Sequence, residues 1–492
     1  MLKLIQNDPW LEPYEAAIQG RYDYYVRRKN ELTDNGAKKL KDVAKGYEYY
    51  GLHKTKKGWT FREWAPNATA IYLIGDFTEW QEKEEYKLTR LNGHGDWEVK
   101  LPAEAIKHED YYKLKVYWNG GSGERIPAYV RRVVQDEKTY LFSAQVWEPA
   151  PYEFKVKKFK PNTSPLLIYE CHVGMSGEAE GVSTYNEFRE KVLPRVIAGG
   201  YNCIQIMAIQ EHPYYGSFGY HVSNFFAASS RFGTPEDLKE LIDTAHGMGI
   251  AVIMDLVHSH AVKNELEGIG LLDGDPCQYF NQGDRREHPA WDSLCFDYGK
   301  NEVIHFLLSN CKFWLEEYHF DGFRFDGVTS MLYHHHGYVE FDCRERFFDE
   351  GVNRDAIVYL TLANKLIHDI RPDAITIAED VSGMPGSCVK PEDGGMGFDY
   401  RLGMALPDYW IKILKEQSDD DWNIWQMWSE MTNRLPSVRT VAYAESHDQA
   451  LVGDKTLAFR LMDKEMYFSM DRASENLIID RGMALHKLIR LF

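Results

Sequence analysis

Hydrophobic positions change period three times along this chain. In residues 1–45 they recur at helical spacing, with Tyr14, Ala17, Ile18, Tyr22 and Tyr25 near one face. The charged stretch from Arg27 to Lys45 closes that segment. Residues 46–150 switch to short β-rich runs: Thr60–Trp64, Ala70–Ile74, Trp97–Leu101 and Tyr112–Tyr117. Turn signals at Gly75-Asp76 and Asn92–Asp96 separate them, which predicts a β-sandwich. Pro149, Pro151, Pro161 and Pro165 then mark a linker.

From Leu166 onward strand and helix patterns alternate. The strands read Ile168–Cys171, Cys203–Ile209, Ile250–Met254, Gly322–Asp326, Ile375–Glu379, a weak Gly397–Arg401, and Val441–Glu445. Helices are predicted over Tyr185–Ala198, Val303–Glu317, Ile357–Ile370 and Arg481–Leu491. Another starts with Thr234 as N-cap, Pro235 at the first position and Asp237 three residues after the cap. Its apolar face is Leu238, Leu241, Ile242 and Ala245, and Gly247 and Gly249 end it.

Such repetition without a glycine-rich phosphate loop predicts an α/β fold, a (β/α)8 TIM barrel over residues 151–492. The pattern offers seven strands, and the chain stops after the seventh helix. An eight-strand barrel cannot close without its last strand. The expectation is therefore a fragment, incomplete at its C-terminus and poorly soluble or inactive by itself.

Composition narrows the function classes. Lys and Arg number 57 against 75 Asp and Glu, a net charge of −18, which disfavours nucleic acid and anionic lipid as partners. The short basic stretch Lys155–Lys160 reads as a solvated linker. No apolar run approaches a bilayer span, and the N-terminus lacks the apolar core of a signal peptide. Seven cysteines, widely spaced and without C-x-x-C, argue for reduced thiols in the cytoplasm. Aromatics reach 14%, suited either to stacking on sugar rings or to a large aromatic core.

Acidic residues collect where barrel strands should end: Asp255, Asp326, Glu379 and Asp448, with His258, His260 and His447 beside them. In this fold the C-terminal strand ends carry the chemistry. Arg324 and Asp326 share one strand face, so the guanidinium favours an ionised carboxylate, as a nucleophile requires. Glu379 should feel the charges of Asp326 and Asp448 and hold its proton more tightly, as a donor requires. Opposed carboxylates in these states are the machinery of glycoside cleavage. His334-His335-His336 reads as a metal tract only superficially. Three adjacent histidines do not converge easily on one ion, and no H-E-x-x-H occurs, so no metal or cofactor is assigned.

The motifs also match a known family. Asp255–His260, Gly322–Asp326, Ala378-Glu379-Asp380 and Ser446-His447-Asp448 resemble the four short regions of the α-amylase family. Gly327–Tyr333, Ile377–Pro385 and Ala442–Lys455 bring the resemblance closer to its animal- and plant-type branching enzymes. The resemblance implies an α-glucan substrate (amylose, glycogen or starch) and no cofactor; a monomer is the expected state, although the sequence does not give it. The resemblance also implies that Asp326 is the nucleophile, Glu379 the acid/base and Asp448 the transition-state stabiliser. Asp255, His260, Arg324 and His447 would hold the sugar, with Tyr220 as the platform beneath it. The stretch Gly75–Trp80 resembles a glycan-binding module, in which Trp80 and Trp97 would stack on glucan. Trp291, Asp292 and Tyr298 would line an acceptor path. Ser259 stands where amylases often carry a calcium-binding Asn, and the family continues with an eighth strand and a C-terminal β-domain. Two other readings stay open: an amylase-like or debranching hydrolase, and a non-catalytic glucan-binding protein.

Overall fold

The computed structural model describes the chain except residues 436–437, 452–454, 471–474 and 492. Part of the predicted motif Ala442–Lys455 thus lies outside the described residues. Contacts divide the chain into two compact units, Pro13–Thr376 and a smaller one formed by Met1–Glu12 with Ile377–Phe492. No described helix is long and apolar enough to cross a membrane.

The larger unit opens with helix Glu15–Leu32, which buries Ile18 and Tyr25. Two antiparallel sheets follow. One runs Gly51–Thr55, Gly58–Trp64, Asp96–Leu101, Thr89–Arg90. The other runs Ala68–Gly75, Tyr111–Trp118, Phe142–Gln145, Val133–Gln135, with Gly121–Arg125 also on Tyr111–Trp118. Their inward positions share one core that includes Trp59, Phe61, Leu73, Leu114 and Val116. Along Asp96–Leu101 burial alternates, so Trp97, Val99 and Leu101 face inward.

Behind the sandwich, four parallel strands pair in sequence order: Ile168–Cys171, Cys203–Ile206, Ala251–Leu256 and Gly322–Phe325. The last three are buried at every residue, so each reads as a nearly continuous apolar run. Helices Pro235–Gly247 and Asn301–Glu317 connect them. Thr234 Oγ1 accepts from the Asp237 backbone N–H at 3.1 Å, while Asp237 accepts from the Thr234 N–H at 2.8 Å, the reciprocal cap read from the sequence. The segment Tyr185–Ala198 is helical throughout, with a wider turn at Phe188–Val192.

The linker is less free than its prolines suggest. Asp243 accepts from the N–H groups of Lys155 and Val156 and from the Tyr152 hydroxyl. Gly322 sits at φ +152°, and a Cβ there would lie 1.9 Å from the Ile375 carbonyl oxygen. Only glycine lets this strand start so close to its neighbour.

Two strand limits depart from the periodicity. The second strand stops at Ile206. Gln210–Glu211 instead pairs antiparallel with Asn224–Ala228, forming a hairpin whose loop carries Tyr220. Asp255 lies inside its strand rather than past the end.

In the smaller unit, Ile377 and Ala378 end the strand Ile375–Ala378 and pair in parallel with Tyr400–Leu402, which pairs with Thr440–Val441. The sixth strand therefore starts later than Gly397, whose φ of +85° precedes it. The seventh ends at Val441 rather than Glu445. Glu445 instead accepts from the Leu457 N–H and pairs with His486. Tyr409, Trp410, Ile413, Met427, Leu457 and Ile489 form this unit's core. Helix Leu477–Leu491 closes the described chain.

Candidate active site

The strand register aligns Asp255 with Arg324 on the neighbouring strand. Both are buried, Asp255 completely. Arg324 Nη1 donates to Asp326 Oδ1 at 2.7 Å and lies 3.2 Å from Asp255 Oδ2. One guanidinium nitrogen thus bridges two carboxylates, the geometry in which a buried cation is compensated. The Tyr220 hydroxyl donates to Asp255 Oδ2 at 2.6 Å. Burial, and then the Asp255 charge, push the Tyr220 phenol well above its ordinary range, so it stays a donor.

His260 closes the same cluster. Its Nε2 donates to the Tyr220 carbonyl at 2.7 Å, and its Nδ1 lies 2.9 Å from Ser259 Oγ. Burial lowers its pKa, with Asp326 pulling the other way. After Asp326 the chain turns at Gly327, φ +61°, where a Cβ would meet Ser259 Oγ at 2.9 Å and the Trp291 ring at 3.0 Å. Trp291 stacks on His288, with centroids 3.9 Å apart, and stands 5.1 Å from the His260 ring. Burial, and then His336 and His260, push His288 down to about 3. Tyr220, Asp255, His260, Arg324 and Asp326 are therefore one connected cluster.

In the smaller unit, Glu379 is half-buried directly after Ala378. The next residue, Asp380, is buried and accepts from Ser382 N–H at 2.9 Å, Ser382 Oγ at 2.6 Å and Gly383 N–H at 3.1 Å. That turn fixes the backbone leaving Glu379. His447 Nε2 and Asp448 Oδ1 are 3.2 Å apart. Asp448 also lines an open cleft of about 570 Å³ with Asp408, Lys412, Lys415 and Gln449.

Some candidates fall elsewhere. Trp97 is only 5% exposed and donates its indole N–H to the Ala65 carbonyl at 2.9 Å. It is a core residue of the sandwich, and the expectation that it stacks on glucan is corrected: its faces are covered. Trp80 is 37% exposed, on a turn at φ +59°, with its indole N–H on Asp76 at 3.0 Å. His258 turns away from the cluster to the Tyr359 hydroxyl and Asn310, and burial pushes it down to about 4. Tyr298 is buried against Tyr359 and donates to the His258 carbonyl. Asp292 pairs with Lys263 at 2.9 Å. The rings of His335 and His336 take different partners, Tyr333 by stacking and Ser330 by a 2.9 Å hydrogen bond. Sequence reasoning missed the wall made by His288 and the hydroxyl of Ser259. The signals for the latter were its place between two histidines and its standing where amylases often carry an Asn.

Known proteins are similar to this chain. The family model for carbohydrate-binding module 48 (isoamylase N-terminal domain) matches residues 49–131, and that for the α-amylase catalytic domain matches residues 200–267. A pullulanase structure from Bacillus acidopullulyticus is similar in fold, with a TM-score of 0.63 at 16% identity, over 86% of this chain and 54% of that one. A 1,4-alpha-glucan-branching enzyme of Dictyostelium discoideum is 50% identical over 99% of this chain and 73% of its own length. The corresponding enzyme of Aspergillus oryzae is 51% identical over 99% of this chain and 72% of its own length. At that identity and coverage, the chain belongs to the 1,4-α-glucan-branching enzyme family, with an α-amylase-type (β/α)8 catalytic fold behind a carbohydrate-binding β-sandwich.

Proposed function

We propose that this chain cuts an α-1,4-glucosidic bond in a linear glucan and rejoins the severed segment to a 6-hydroxyl, making an α-1,6 branch. Asp326 attacks the anomeric carbon while Glu379 protonates the departing oxygen. The segment stays esterified to Asp326. Glu379, now a base, takes the proton from the incoming 6-hydroxyl as the ester breaks. Two inversions give net retention. Asp448 stabilises the oxocarbenium-like transition state, and Asp255, His260, Arg324 and His447 hold the sugar over Tyr220. Residues 46–150 act as a glucan-binding module through Trp80. The seven free thiols support a reducing, cytoplasmic setting, and the branching-enzyme relatives support a role in glycogen or starch synthesis.

The observation that carries the reading is the guanidinium nitrogen shared by Asp255 and Asp326, which holds one oxygen of the attacking carboxylate in place. Hydrolysis would use the same groups with water as acceptor, and membership of the branching family favours transfer. A non-catalytic role is disfavoured because Asp326, Glu379 and Asp448 are all present.

The test is to incubate Glu379→Gln with an α-glucosyl fluoride, whose leaving group needs no proton donor. The reading expects the peptide containing Asp326 to gain one glucosyl unit by mass spectrometry, and Asp326→Asn to gain none. A label on another carboxylate, or one surviving in Asp326→Asn, would contradict it.

A further inference from the structure

Ser259 is buried between the nucleophile and a titratable ring. Its Oγ lies 2.9 Å from His260 Nδ1 and 3.4 Å from Asp326 Oδ2. A serine hydroxyl has one proton to donate, so it serves one of these acceptors at a time. Which one is decided across the ring. His260 Nε2 stands 2.7 Å from the Tyr220 carbonyl, which only accepts, so Nε2 carries a proton in both charge states. Nδ1 is therefore the nitrogen that titrates.

With His260 neutral, Nδ1 presents a lone pair, and Ser259 donates to it along the shorter of its two contacts. With His260 protonated, Nδ1 becomes a donor and Ser259 Oγ must accept. The hydroxyl proton then turns to Asp326 Oδ2. Arg324 occupies Oδ1, so Oδ2 is the oxygen whose engagement changes.

We propose that Ser259 is a positioning residue that relays the charge state of His260 to Asp326, leaving Oδ2 free to attack when His260 is neutral and holding it when His260 is protonated. The titrating proton comes from solvent, Ser259 keeps its own, and no covalent bond changes. A donor on Oδ2 opposes formation of the ester but helps Asp326 leave when the ester breaks. The same proton thus acts with opposite sign on the two halves of the reaction.

Burial lowers the His260 pKa, which suits the neutral state near pH 7 and the shorter contact to Nδ1. The charged and titratable groups around the ring are Asp326, which favours the cation, and His221 and His288, which oppose it. Trp291 covers one side.

The kinetic part rests on Asp326 being the nucleophile, whereas the coupling does not. Deuterium uptake at the imidazole C2 of His260, followed by mass spectrometry across pH, reads its ionisation in the full chain. Asp326→Asn should make His260 hold its proton about tenfold more weakly while Ser259 is present. In a Ser259→Ala or Ser259→Cys background that effect should shrink several-fold. The cysteine, nearly the same size but a weak donor, serves if the alanine variant folds poorly. An equal effect of Asp326→Asn in both backgrounds would overturn the relay. In the second arm, Ser259→Ala should remove the His260 ionisation from the acid limb of kcat/KM. A profile lowered uniformly, with its shape kept, would assign Ser259 a merely structural part. If Asp326→Ala kept its turnover, the nucleophile assignment would fall while the coupling in the first arm still stood or failed separately.

Discussion

Asp326 and Asp448 reach their positions by different means. Asp326 follows a strand whose every residue is buried, with Arg324 bridging it to Asp255 on the adjacent strand. Asp448 follows the two-residue strand Thr440–Val441, is 38% exposed at its side chain, and includes Ser446 and His447 among its contacts. One carboxylate is part of the fold's buried framework, and the other is presented by a short turn and a five-residue helix. Where a reacting group is built into the core, chemistry and stability cannot be varied separately. Where it is presented from a surface segment, they can.

That contrast is open to direct attack. The largest effect should come from Asp326→Ala, which removes the proposed nucleophile and should cut transfer by about 10⁴-fold or more, measured as branches formed per minute on amylose. Arg324→Ala should also unfold more readily, by about 3–5 kcal/mol in urea, because two buried carboxylates lose their shared cation. Asp448→Asn should reduce turnover by about 10²-fold or more yet leave the urea midpoint nearly unchanged. A large stability loss in Asp448→Asn would erase the distinction.

The two tryptophans of the sandwich sharpen the same point. Trp97→Ala should cost about 3–5 kcal/mol in thermal or urea unfolding, since its ring fills the core. Trp80→Ala should change stability by less than about 0.5 kcal/mol and weaken retention on an amylose-containing gel.

A further effect concerns pH. His258 is about 4 when folded, against about 6.5 unfolded. As pH falls through that window the unfolded chain takes up a proton that the folded chain refuses, so stability falls with pH. The loss should be about 2 kcal/mol between pH 7 and pH 5, and smaller in His258→Asn. Equal losses in both proteins would deny His258 its buried, neutral role.

The sequence carried much of this because three of the first four barrel strands, Cys203–Ile206, Ala251–Leu256 and Gly322–Phe325, are buried at every residue and therefore read as apolar runs. The Thr234 cap is local chemistry and was equally plain. Tyr400-Arg401-Leu402 and Thr440-Val441 are short and only half-buried, so neither announces its limits by hydrophobicity. Trp97 alternates with Glu98 and Lys100, and that period, which points it inward, outweighs the stacking chemistry of its indole. The shared nitrogen of Arg324 and the two contacts of Ser259 depend on strand register and on a partner 67 positions away, which no local pattern encodes.

Under the proposed function a sugar hydroxyl, not water, takes the severed segment from the enzyme. Proton NMR of linear amylose with this chain follows α-1,6 linkages and reducing ends in one sample. Branches that accumulate while reducing ends stay level are the predicted result. Reducing ends that rise without branches would make the protein a hydrolase and contradict the account.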